Sequence, residues 1–313
     1  MKEWNGFKRG INLGGWLSQC DYSLEHIMNF IGEDDIKQIA SWGLDHVRLP
    51  IDFNVLEMEG VGYERVDETV AWCEKYGLNL IIDIHKTKGF SFDAGENESG
   101  FFDSEPLQEY FYSLWETIAK RYGDKPDRIV FELLNEVTEQ KFIGAWNRII
   151  YECIGRIRKY APDTTVIVGS YQNNSAATVH ELFAPYDDKV VFTFHCYDPL
   201  KFTHQGAYWV PPELLDPAAR MTYEESGVNK EFFINFFASA LEKAKECDTL
   251  LYCGEYGVID VVPPEEAIKW LRDIHEVFEM YGIGRCLWSY KKMDYGFTDE
   301  RLDGLRDEYL KLL

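Results

Sequence analysis

The chain has 313 residues, of which 46% are apolar and 15% aromatic, a composition that excludes a disordered or low-complexity protein. Lys and Arg total 32 against 54 Asp and Glu, and the formal net charge of −22 repels phosphate backbones and anionic lipid, so neither nucleic acid nor a membrane is expected as a partner. No apolar stretch approaches the roughly 18–20 residues of a membrane span.

Met1 to Gly6 runs into strand-like sequence without an apolar leader core. The compartment stays open between the cytoplasm and secretion with a leader absent from this chain. The seven cysteines (Cys20, Cys73, Cys153, Cys196, Cys247, Cys253 and Cys286) include no C-x-x-C pair and sit largely in apolar runs, which reads as buried thiols rather than a disulfide framework.

Eight short apolar strands are predicted, beginning with Gly10–Leu13, His46–Leu49, Leu80–Ile84 and Ile129–Leu134. The others are Thr165–Val168, Val190–Phe194, Leu250–Cys253 and Arg285–Trp288. Segments of helical period lie between them at Glu33–Trp42, Asp67–Tyr76, Glu105–Tyr122, Phe142–Tyr160, Lys230–Glu246 and Pro264–Tyr281, with Asp303–Leu313 as a closing helix. Continuously apolar strands alternating with amphipathic helices indicate a parallel sheet covered by helices. Eight units favour a closed (β/α)8 TIM barrel, a single domain over residues 1–313 with functional groups at the C-terminal ends of the strands. Longer connections follow strands three (Thr87–Glu105) and six (Asp198–Asn229). The second, residues 198–229, is expected to be a loop or helical insertion at the cleft.

Positions two apart in a strand share a face. That phase puts Arg48 with His46, His85 with Asp83, Glu136 with Glu132, Tyr197 with His195 and Tyr290 with Trp288, while strand seven ends in Glu255. Each of these alone is an ordinary structural residue in many α/β cores. Together on one rim they suggest a site. Glu132, one pleat deeper than Glu136, reads as structural, paired with a buried cation or donor. Two carboxyl groups on different strands suit glycoside hydrolysis, one protonated to release the leaving oxygen and the other ionised to attack the anomeric carbon or activate water. An apolar setting and the charge of Glu255 would keep a proton on Glu136, and Arg48 with Tyr197 would keep Glu255 ionised. A metal-dependent barrel hydrolase using Asp83, His85 and His195 is the rival, weakened because Asn12 stands where a first-strand ligand is needed. A non-catalytic sugar-binding barrel would require the loss of one glutamate.

With Gly10-Ile-Asn-Leu-Gly-Gly-Trp16, His46-Val-Arg-Leu-Pro50, Asp83-Ile-His85, Phe131-Glu-Leu-Leu-Asn-Glu136, His195-Cys-Tyr197, Gly254-Glu-Tyr-Gly257 and Trp288-Ser-Tyr-Lys-Lys-Met-Asp294 in this order, the chain resembles glycoside hydrolase family 5, cellulase family A. The resemblance implies a retaining β-glycanase with Glu136 as general acid/base and Glu255 as nucleophile. It further implies that Asn135 binds the 2-hydroxyl of the −1 sugar and that Arg48 and Tyr197 hold Glu255. His85 and His195 would contact substrate or the carboxylates, and Trp288 would floor the −1 subsite. Neither metal nor organic cofactor is implied. The expected substrate is a cellulose-type or mixed-linkage β-1,4-glucan, with mannan, xyloglucan or exo-acting β-glucosidase activity as alternatives. A monomeric, stand-alone catalytic domain is expected.

Overall fold

The protein is described from a computed structural model that covers residues 4–93, 96 and 98–313. Met1–Glu3, on which part of the leader reading rests, and Ala94, Gly95 and Asn97 of the connection after strand three lie outside the described residues. Eight parallel strands close into a barrel in chain order: β1 Arg9–Asn12, β2 His46–Asp52, β3 Asn79–Lys86, β4 Ile129–Glu132, β5 Val166–Gly169, β6 Val190–Cys196, β7 Leu251–Tyr256 and β8 Gly284–Leu287. The outer ring comprises α1 Glu33–Ser41, α2 Gly62–Tyr76, α3 Glu105–Tyr122, α4 Ile143–Ile157, α5 Lys230–Glu246, α6 Pro264–Tyr281 and the short α7 Arg306–Leu310.

Several strand and helix ends differ from expectation by one to three residues, and three differences bear on the fold. The second helix begins at Gly62, five residues early: Tyr63 and Val66 lie one turn apart and pack on the core, so Asp67 is inside the helix rather than its cap. Gly304 adopts φ +88°, a left-handed conformation no helix interior accepts, so the closing helix is confined to Arg306–Leu310. Strand four ends at Glu132 rather than Leu134. The connection at 198–229 holds two single-turn helices, Leu200–Thr203 and Tyr223–Ser226, and exposes Tyr208 at its tip.

The two-residue period sorts the barrel interior into layers. Ile81, Val130, Ile167, Val191, Tyr252 and Cys286 form an apolar floor closed from below by Phe7 and Trp4. One pleat higher, Asn12, Arg48, Asp83, Glu132 and Thr193 are all buried and polar. The outward positions, among them Val47, Leu49, Leu80, Ile82, Phe131 and Phe194, belong to the larger core between barrel and helices. Five of the seven cysteines are buried and all are free thiols.

Three buried tryptophans of the outer helices fasten the upper rim. Trp115 Nε1 donates to Leu133 O at 3.0 Å, Trp146 Nε1 to Gly169 O at 2.8 Å and Trp270 Nε1 to Asp198 O at 2.9 Å. Each carbonyl lies where a strand hands over to its loop, so packing and hydrogen bonding act together on the segments that carry the polar rim.

Within the polar layer, Glu132 receives Arg48 Nε at 2.7 Å and Nη2 at 3.1 Å, a bidentate pair with no solvent access. Removing one partner of a buried pair costs about 3–5 kcal/mol. Glu132→Gln is therefore expected to lower Tm by several degrees while moving the pH optimum of activity little; unchanged melting with a displaced profile would place Glu132 in the catalytic set instead.

Candidate active site

Arg48 is the hub of the upper barrel. Its Nη1 donates to Asn12 Oδ1 at 2.9 Å and to Glu255 Oε1 at 2.8 Å. Its Nη2 donates to Asn135 Oδ1 at 2.9 Å and lies 2.9 Å from Asp83 Oδ2. Burial works against its charge, but Asp83, Glu132 and Glu255 together outweigh it and raise its pKa, so it is a cation throughout the accessible pH range.

Both glutamates reach this hub through departures from regular strand geometry. In β7, Tyr252 faces the barrel interior and so does Gly254, which by simple alternation would turn Glu255 outward. The register slips instead: Phe194 pairs with Cys253, but His195 pairs with Glu255. The extra residue is Gly254, where a Cβ would stand 2.9 Å from His195 Nε2. A glycine bulge thus re-aims Glu255 into the barrel.

On the other side, Phe131 and Leu133 give their N–H groups to strand five, at Thr165 O and Ile167 O, and Asn135 gives its own to Ile84 O of strand three. The chain has rotated by half a turn between Leu133 and Asn135. Asn135 therefore points at Arg48, and Glu136 stands beyond the strand rather than in phase with Glu132.

Glu255 accepts a second hydrogen bond, from the Tyr197 hydroxyl at 2.9 Å to Oε2. Burial and the charge of Glu255 push the Tyr197 pKa far upward, so it remains a donor. Glu136 has a different environment. Its Oε1 lies 2.7 Å from His195 Nδ1, and its Oε2 accepts from Asn173 Nδ2 at 2.8 Å. Burial pushes Glu136 up to about 7, opposed by the Asn173 hydrogen bond and the positive potential of His85 and Arg48. Of the two causes expected to keep a proton on Glu136, an apolar setting and the charge of Glu255, desolvation is the larger.

Glu255 is also raised by burial, with His195 and Arg48 pulling it back down. Of the two, Glu255 holds the charge, because the guanidinium and the phenol bond directly to it. Burial lowers His195 to about 4, leaving a neutral ring between the carboxyl groups at pH 7. Carboxyl oxygens of Glu136 and Glu255 and a ring nitrogen of His195 lie within 4.8 Å of one another.

His85 Nδ1 meets Asp83 Oδ2 at 2.7 Å, and its ring stacks parallel to Trp288 with centroids 5.9 Å apart. Trp288 in turn needs Gly14, where a Cβ would come within 2.7 Å of the indole. Among the described residues the buried atoms His85 Nε2, His195 Nε2 and Asn135 Nδ2 have no protein partner, so the rim offers polar atoms for a polar ligand.

Arg48, His85, Asn135, Glu136, His195, Tyr197, Glu255 and Trp288 thus converge at the C-terminal mouth. Tyr290 does not join them: its hydroxyl reaches outward to Asp35 and Gln38 of α1, at 2.8 Å each. The backbone turns over after Trp288, which defeats simple alternation. The sequence reading also missed Asn12, whose Nδ2 donates to three carbonyls of strands seven and eight, and Asn173. Only the unusual Gln-Asn-Asn run after strand five hints at the latter. The metal set Asp83, His85 and His195 is disfavoured because the Arg48 cation already sits on Asp83 Oδ2.

A closed parallel barrel with two neighbouring buried carboxyl groups at its C-terminal mouth defines a glycosidase-type site. A family model for cellulase (glycosyl hydrolase family 5) matches residues 10–294. Cellodextrinase A of Ruminococcus flavefaciens is 57% identical over 290 residues, 91% of this chain and 86% of the relative. Endoglucanase C of Acetivibrio thermocellus is 35% identical across 98% of each chain. Among solved structures, the endoglucanase Cel5A from the hyperthermophilic Thermotoga maritima matches with a TM-score of 0.80 at 26% identity, covering 98% of this chain and 97% of that one. The chain belongs to glycoside hydrolase family 5 and is a glycoside hydrolase.

The raised pKa of Glu136 has a stability consequence. A carboxyl near 4.5 when unfolded and about 7 when folded binds more protons in the native state, so its contribution to stability declines as pH rises from about 4.5 to 7. Glu136→Gln removes that decline. The variant is expected to melt above the parent at pH 8, by the equivalent of about 3 kcal/mol, and to differ little at pH 4; equal Tm differences at both pH values would contradict the assignment.

Proposed function

We propose that the chain is a retaining β-1,4-glucanase acting on cello-oligosaccharides and soluble β-glucan, with Glu255 as nucleophile and Glu136 as acid/base. The observation that carries this reading is the pair of carboxyl groups with oxygens inside 4.8 Å, one clamped by a cation and a phenol, the other raised by burial to about 7. Inverting enzymes hold their carboxyl groups about 6.5–9.5 Å apart to admit a water between them; double displacement needs about 5–5.5 Å.

In the first step Glu255 attacks the anomeric carbon as Glu136 gives its proton to the glycosidic oxygen. The C–O bond breaks, the leaving sugar departs as an alcohol, and a glycosyl ester forms on Glu255. Glu136, now ionised, takes a proton from water, which attacks the same carbon; the ester opens and both carboxyl groups return to their starting states. Arg48 and Tyr197 lower the basicity of Glu255, making it a better leaving group in this second step.

Asn135, oriented by Arg48 with its Nδ2 unpaired, suits a bond to the 2-hydroxyl of the −1 sugar, a contact that strengthens in the transition state. Trp288 supplies the floor for that sugar, with His85 beside it. The connection at 198–229 forms a lip of the cleft through Trp209, which stands edge-on to His204 and leads through Tyr295 to Tyr197. The β-1,4-glucan assignment follows the names of the relatives, a cellodextrinase and an endoglucanase.

Hydrolysis of a soluble β-1,4-glucan is expected to release the β-anomer and to be indifferent to EDTA; inversion, or loss in chelator restored by zinc, would refute the mechanism. Glu255→Ala should lose at least about 10⁴-fold on every substrate. Glu136→Ala should lose a comparable factor on unactivated glucan yet retain glycosylation of aryl glycosides with good leaving groups, because those need little acid assistance.

A further inference from the structure

Immediately after β5, Gln172, Asn173 and Asn174 stand in succession in the left-handed region, with φ of 54°, 54° and 55°. Three consecutive residues with side chains in this region carry strain of order 1 kcal/mol or more each. The turn is fastened to the segment that follows the acid/base: Gln172 N–H bonds to Thr138 O at 3.1 Å and Asn173 N–H to Val137 O at 3.0 Å. Ser175, the next residue, pairs with His195, the residue on the opposite side of Glu136. The strained turn therefore ties together the segment after Glu136 and the strand bearing its other partner. It also delivers the Asn173 carboxamide to Glu136 Oε2 at 2.8 Å.

We propose that Asn173 is a positioning residue for the reaction: its amide fixes the rotamer of Glu136 and sets how readily that carboxyl gives up and recovers its proton. The proposal rests on the reading of Glu136 as acid/base. A competing account is purely conformational, since Asn tolerates the left-handed region better than other residues with side chains. The geometry favours a chemical role. An N–H donor on Oε2 stabilises the ionised carboxylate, the form needed to take a proton from water in the second step. It opposes the burial that otherwise raises the acid.

Other charged and titratable groups act on Glu136 from every side. His195 bonds to it from β6, His85 and Asp83 lie on β3, and Arg48 lies on β2. Asp93 acts from the connection after β3, Glu255 from β7, and the protonated Tyr197 and Tyr295 from the far wall. Asn173 differs from all of these in that it does not titrate. Its removal changes the proton affinity of Glu136 without adding or deleting a formal charge.

The test separates amide from backbone. Asn173→Gly deletes the carboxamide and places at 173 the residue best suited to positive φ, so Tm should not fall. Loss of one hydrogen bond to a charged acceptor should move the basic limb of kcat/KM upward by about one pH unit. Asn173→Asp, with an acceptor where the donor stood, should move it further. Gln172→Gly relieves the same turn without touching Glu136 and should leave the limb in place. A stable Asn173→Gly with an unmoved limb overturns the proposal, as does an equal displacement in Gln172→Gly. Glu136→Ala assayed beside them keeps the two readings apart. If its loss did not depend on leaving group, the acid/base assignment would fall and take the proposal with it; if the dependence is present and the limb is fixed, the role of Asn173 alone is refuted.

Discussion

One guanidinium holds the upper barrel together. Arg48 has no contact with solvent and serves Glu132, Asp83, Glu255, Asn12 and Asn135, residues from strands one, three, four and seven and the loop after strand four. A flexible ammonium could not do this. The planar fork offers five donors in fixed directions, and each acceptor must come to it. The (β/α)8 frame is what makes that arrangement possible, since every strand delivers its C-terminal side chain to the same mouth. The cation in turn makes the burial of three carboxylates tolerable.

The charge balance around Arg48 explains the chemistry. Asp83, Glu132, Glu136 and Glu255 bring four carboxyl groups to a site with one permanent cation, and burial keeps His195 neutral near pH 7. Burial raises Asp83 and Glu136 alike to about 7, but Asp83 has the guanidinium against it to hold its charge, and one carboxyl of the set has no direct bond to that cation. That carboxyl is Glu136. Its partners are an amide and a neutral imidazole, which orient it without paying the full cost of ionisation in a buried setting. Glu255 keeps its charge because Arg48 and Tyr197 bond to it directly. In the proposed mechanism the division of labour between Glu136 and Glu255 follows from which of these two touches the cation.

Rigidity at the rim comes from packing below it. The indoles of Trp115, Trp146 and Trp270 peg the exits of strands four, five and six, so the loops bearing Glu136, Asn173 and Tyr197 are anchored at their bases. Much of the aromatic excess therefore serves structure, with Trp288 left at the barrel mouth beside His85. The left-handed turn at 172–174 persists because the surrounding backbone bonds over-determine it.

The sequence by itself determined the number and order of the strands, because continuously apolar runs alternating with amphipathic helices have few other ways to bury both faces. It also determined which polar residues end those strands, including Glu132 and its need for a buried cation or hydrogen-bond donor, since a glutamate one pleat inside an apolar strand cannot remain unpaired. Only the tertiary structure decided how Glu136 and Glu255 come to face each other. Alternation fails at both: a bulge at Gly254 turns one inward, and a half-turn of backbone between Leu133 and Asn135 carries the other past the end of its strand. Period-two reasoning assumes a regular strand, and here regularity ends where the site begins. The same holds for Tyr290, which the turn after Trp288 sends outward, and for Asn173, whose contact depends on a backbone conformation that residue type permits but does not dictate. The stretch from Ile129 to Glu136 shows the division plainly, with Glu132 readable from its phase and Glu136 placed only by what surrounds it.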